Sequence, residues 1–69
     1  MTSLSLAIDL HDRFTRTAER YEALGLHVAA ATPRHLAQWC GDCPQLYVHF
    51  CAELEAHVAW KEATIDPRS

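Results

Sequence analysis

Between Leu4 and Leu24 the apolar residues recur three and four positions apart, and this period limits the possible folds more than any other feature of the chain. Leu6, Ala7, Leu10, Phe14, Ala18, Tyr21 and Leu24 gather on one arc of a helix. Asp9, Asp12, Arg13, Arg16, Glu19 and Arg20 take the other side, so one face seeks a core while the other stays in water. Thr2 or Ser3 can cap the start, and Gly25 stands where a helix commonly ends in a left-handed residue. The pattern predicts a helix over about residues 3–24.

A second amphipathic stretch lies near the other end. After Pro44, residues Leu46, Tyr47, Phe50, Cys51, Leu54 and Val58 share a face, predicting a helix over about 44–63. Glu55 and Glu62 border that face on one side, His49 and Glu53 on the other. Ala52, Ala56 and Ala59 lie behind it, where small side chains would let another helix approach closely. Between the two stretches, Thr32-Pro33 reads as a cap followed by proline in a first turn. That predicts a short helix over about 33–40, broken by Gly41-Asp42. Residues 26–32 fit a short apolar connector lying against the core, helical or not, and 65–69 a frayed tail. The expected fold is all-α: one domain, 1–69, with two antiparallel amphipathic helices and a short connecting helix.

Size argues for company. A chain of 69 residues is one domain and buries only about 60% of its unfolded surface. With 49% apolar residues, some apolar surface has no evident place inside a single copy, so a homodimer completing a bundle-like core is expected. A net charge of −3 makes nucleic acid a poor default partner. No apolar run approaches the roughly 18 residues that span a bilayer, and the first residues lack the basic start of a signal peptide. Three cysteines, an odd number, fit a reducing compartment. A cytoplasmic location is expected.

Trp39-Cys40-Gly41-Asp42-Cys43 resembles the redox pentapeptide of thioredoxin-like proteins over those five residues. In that family the first cysteine follows a strand and opens a helix whose N-terminus lowers the thiol pKa. Here the preceding residues read as helix, which places Cys40 at a helix C-terminus, where the dipole disfavours a thiolate. Zinc is the better chemical use of the pair, because two cysteines on a tight turn form half of many structural sites. Cys51 is too far along its helix from Cys43 at about 1.5 Å per residue, and His49 points away around that helix, so a site would have to draw on His27, His11 or a second subunit. Cys40 and Cys43 therefore read first as packed corner residues, and no resident cofactor is expected.

Two further groups invite a functional reading. His49, Glu53 and His57 follow at steps of four, a ridge that could hold a divalent ion weakly but reads first as a solvated face. Arg13, Arg16 and Arg20 share one side of the first helix. Asp9 and Asp12 precede the first two by four residues, an orientation that neutralises them within the helix. Arg20 alone lacks such an acid and is free for a partner.

No nucleophile elbow or glycine-rich phosphate loop is present, and an enzyme is not expected. With no pocket-sized volume expected, the sequence points to an adaptor or inhibitor that works by occupying another protein's surface. This size and profile are common among accessory proteins of bacteria and their phages, one version being a module that masks a host regulator. Trp60 and Trp39, off the apolar arcs, are the candidate anchors, with Arg13, Arg16 and Arg20 beside them. Ala52, Ala56 and Ala59 are the candidate dimer face. The alternatives are a zinc or thiol sensor at Cys40 and Cys43, and a dimeric nucleic-acid binder using the arginine stripe.

Overall fold

A computed structural model describes residues 3–65, and every regular element in them is helical. Helix α1 spans Ser3–Ala23, α2 His27–Trp39 and α3 Val48–Thr64, with one 3-10 turn, Pro44–Leu46, before α3. The expected tail residues 66–69 lie outside the described segment.

Helix α1 ends as its sequence directs. Gly25 takes φ of 79°, the left-handed conformation that an L side chain resists. Its N–H donates to the Glu22 carbonyl at 2.9 Å, and the Leu26 N–H donates to the Tyr21 carbonyl at 3.0 Å. These two bonds satisfy carbonyls that the helix end would leave unpaired, and they turn the chain back along α1.

The second helix starts earlier than the expected residue 33, and takes in the apolar run whose conformation the sequence left open. Residues 27–32 are helical, and Pro33 lies inside α2 rather than at its start. The run Ala29-Ala30-Ala31 has the highest helix propensity available and extends the helix backward. Pro33 removes the N–H that would bond the Ala29 carbonyl, a change costing about 3 kcal/mol in an open helix. Here the ring is fully buried, and that apolar contact offsets the loss.

A full-length α2 changes the topology. At about 1.5 Å per residue, its 13 residues run about 20 Å back along α1, so α3 starts near the end where α1 starts. Ion pairs fix the directions. Arg13 pairs with Glu55 and Arg20 with Glu62, so partners advance together and α1 and α3 are parallel, not antiparallel. Helix α2 runs against α1: Glu22 near the end of α1 meets Arg34, while Leu10 shares a cluster with Ala37 and Cys40. The third helix also begins later than expected, at Val48, because Pro44–Leu46 closes a 3-10 turn first.

Helix α1 is the hub, with α2 packed closely along it and α3 more loosely. Two clusters form the core. Leu10, Phe14, Ala37, Cys40 and Cys51 make the larger one. Ala18, Tyr21, Ala30 and Val58 make the smaller, toward the end of α1. Thr17 lies buried on α1 between these levels, and its hydroxyl donates to the Arg13 carbonyl at 2.8 Å, so no polar atom is stranded. Leu46 and Phe50, assigned to the core face by spacing, are exposed instead.

Candidate interaction surfaces

The α1–α3 seam has a heptad frame. Phe14 and Tyr21 alternate with Leu10 and Thr17 on α1, while Cys51, Leu54 and Val58 supply the facing α3 positions. Arg13 and Arg20 occupy the g positions of α1, and Glu55 and Glu62 the e positions of α3, the flanking pairs of a parallel two-helix coil. Both contacts are bidentate. Arg13 donates to Glu55 at 2.6 and 3.0 Å, and Arg20 to Glu62 at the same two distances. The guanidinium hydrogen bonds hold both carboxyls below the usual glutamate range, against the opposing effect of burial at Glu55.

The arginine stripe is therefore mostly engaged. Arg13 has its main partner in α3, with Asp9 further off at 3.7 Å. Arg20, which spacing along α1 left unpartnered, is held by Glu62. Arg16 pairs within its helix as the spacing implies, with Asp12 at 2.7 Å on an exposed face, as Arg13 also does at longer range with Asp9. A third cross-helix pair, Arg34 with Glu22 at 2.7 Å, ties α2 to α1.

The histidine ridge divides. His49 and Glu53 meet at 3.1 Å in the open. His57 turns instead to the seam, where the buried Tyr21 hydroxyl hydrogen-bonds its Nδ1. Tyr21 needs this partner, because a phenol hydroxyl buried without one is costly. Burial raises the Tyr21 pKa and keeps its hydroxyl protonated at neutral pH.

At the cysteine corner the two thiols part company. Cys40 closes α2, is fully buried, and directs its Sγ at the Ala37 carbonyl at 3.5 Å. Burial pushes its pKa up, opposite to a redox nucleophile. Cys43 is exposed. Cys51 lies in the core as spacing predicts, its thiol pushed up to about 11 by burial. Among the described residues no three His, Cys, Asp or Glu side chains converge as a metal site would require.

What remains unsatisfied is apolar. Trp39 and Trp60 are 57% and 58% exposed, and Val28 is 90% exposed. Trp39 stacks on His35, and Trp60 lies beside His57 under the Lys61 ammonium. Ala52, Ala56 and Ala59 are all exposed on α3. Helix α3 is apolar around most of its circumference but buries only one strip. A surface that sequence reasoning did not foresee is an open, mostly apolar groove of about 480 Å³ between the start of α1 and the end of α2. Ala7, Ile8 and Ala37 line it, with His11 and Gln38 as polar side chains.

Sequence reasoning also missed Glu55 and Glu62 as partners of the arginines. The signal was present: basic residues seven apart on one helix and acidic residues seven apart on another. Comparison with known proteins adds nothing to this geometry, as no family model, curated protein or solved structure matches the chain.

Proposed function

We propose that this protein is a small interaction module, non-enzymatic and cytoplasmic, that acts by covering a surface of another protein and itself works as a homodimer. The supporting observation is the exposure of Trp39 and Trp60 on two helices whose ionic groups largely neutralise one another. Tryptophan gives large contact area at low entropic cost and is enriched among residues that dominate binding energy. Ala52, Ala56 and Ala59 offer a close-approach surface on α3 next to Trp60. Masking of a regulator, as phage and mobile-element accessory proteins do, is one form this activity would take. No described helix is long and apolar enough to cross a membrane.

Less supports the other two readings. A sensor at Cys40 and Cys43 would need ligands that do not converge there among the described residues. A polyanion site would need arginines that Glu55 and Glu62 already hold.

The test is co-purification from the source cells with the partner identified by mass spectrometry, followed by titration of the purified pair. Trp60→Ala is expected to weaken binding at least about 30-fold, the equivalent of a hot spot of about 2 kcal/mol, with helicity unchanged by circular dichroism. Affinity unchanged in both Trp60→Ala and Trp39→Ala would remove these faces from the site.

A further inference from the structure

We infer that the Trp60 face binds an acidic segment of the partner, one that lays an apolar side chain on the indole and a carboxylate against the Lys61 ammonium. This rests on the contact-surface reading proposed above and names the chemistry of what covers it.

The first ground is charge. The chain carries nine acidic side chains against six lysines and arginines, so a cation without a carboxylate is the exception. Among the described residues every arginine has one: Arg13 pairs with Glu55, Arg16 with Asp12, Arg20 with Glu62 and Arg34 with Glu22. Lys61 has none among those residues. Its neighbour Glu62 is turned to Arg20, and the positions four before and four after it on the chain are His57 and Ile65. The ammonium lies instead over the Trp60 ring, with Nζ 5.2 Å from the centroid. A ring face attracts a cation but accepts no strong hydrogen bond, so the ammonium donors are left for a group from outside.

The second ground is that the neighbouring groups are held in place. The Tyr21 hydroxyl is buried, and its hydrogen-bond partner is His57 Nδ1. An accepting hydroxyl would strand its own proton at a buried position, so the hydroxyl donates and Nδ1 accepts. Neutral His57 then carries its proton on Nε2, a further N–H donor on an exposed imidazole. That ring lies 6.1 Å from the Trp60 ring, centroid to centroid. Tyr21 belongs to the buried cluster with Ala18, Ala30 and Val58, so the core fixes His57 and His57 borders Trp60. Side chains already ordered lose less entropy on binding. An indole 58% exposed, an imidazole N–H and an ammonium thus stand together toward the end of α3. A carboxylate beside an apolar side chain meets all three. A basic segment would bring like charges together and leave the ammonium covered without a partner.

The third ground is room. Helices α2 and α3 each pack on α1 and hardly on one another. Leu24, Leu26 and Ala29 around the Tyr21 cluster stay only partly buried, apolar ground on which such a segment can continue.

The test uses two synthetic helical peptides without tryptophan, identical in their leucines, one flanked by glutamates and the other by lysines. Trp39→Phe leaves Trp60 as the one indole, and its fluorescence reads binding. At about 0.15 M salt, charges beyond about 8 Å are largely screened, so the net charge of −3 counts for less than the local ammonium. The glutamate peptide is expected to bind at least about threefold tighter than the lysine peptide, the scale of one exposed ion pair. Lys61→Met should abolish this preference and Lys61→Glu reverse it, with helicity unchanged by circular dichroism. Should Lys61→Glu not fold, Lys61→Met decides. Equal binding of the two peptides, or a preference that survives Lys61→Met, overturns the acidic partner and leaves Trp60 a contact surface. Binding of neither peptide overturns the inference too, while the Trp60→Ala titration with the cellular partner judges the contact surface separately. Trp60 shielded from acrylamide in concentrated protein and opened on dilution makes this face the contact between two copies, and that also overturns it.

Discussion

At Cys40 the thiol is sealed between α1 and α2, and at Cys51 it is sealed between α1 and α3, both at 0% exposure. Burial favours the neutral thiol at each and blocks approach of a reagent. Cys43, only three residues from Cys40, sits outside the helix end and is exposed. Ellman's reagent is therefore expected to modify Cys43 rapidly in the native protein, and Cys40 and Cys51 only on unfolding. Rapid native reaction of a Cys43→Ser variant would contradict the burial of the other two. The sequence placed Cys51 in the core, because its spacing to Leu54 and Val58 is local. It could not separate Cys40 from Cys43, because which thiol turns inward depends on where α2 stops.

Between α1 and α3 the element-scale prediction concerns acid. Arg13 and Arg20 depress the pKa of Glu55 and Glu62 below that of an unfolded glutamate, about 4.3. The seam's ionic contribution is thus fully present above that value and is lost as pH falls through the depressed folded pKa. Urea midpoints should hold from pH 7 to about 5 and drop below about 4.5. Glu55→Gln with Glu62→Gln should lower the midpoint at pH 7 and flatten the acid limb. Some slope should persist through Glu22, which Arg34 also holds low. A variant as steep as wild type would place the acid sensitivity outside the seam. Intrahelical spacing accounted for Arg16 with Asp12 and for Arg13 with Asp9 but not for Arg20, whose partner lies 42 residues away on a helix that only the fold brings alongside.

For the molecule as a whole, a single level of core carries much of the stability. Phe14 is fully buried where α1 meets both other helices, beside Ala37, Cys40 and Cys51. Phe14→Ala should cost about 3–5 kcal/mol. At about 0.05–0.15 kcal/mol per residue, a chain of this length has about 3–10 kcal/mol in total. The substitution should therefore lower the melting temperature by at least about 12 °C, read by circular dichroism. A cooperative melt within a few degrees of wild type would show that the core does not depend on this level. The 44 × 18 × 14 Å extent reflects the same arrangement, a hub helix with two flanking helices of different reach.

By itself the sequence determined the all-helical class, the span of α1, its glycine stop and the buried stripe from Leu10 to Tyr21. These follow from interactions over three or four residues, which periodicity records directly. It also marked Trp39 and Trp60 as lying off the apolar arcs, since that is a matter of angle around one helix. Only the tertiary structure decided that α2 continues through Pro33, because burial of the ring outweighs the lost hydrogen bond. From that extension follow the parallel course of α3, the pairing of Arg20 with Glu62 and the hydrogen bond between His57 and Tyr21. Each depends on which helix lies alongside, and a register between distant segments is set by packing rather than by local spacing.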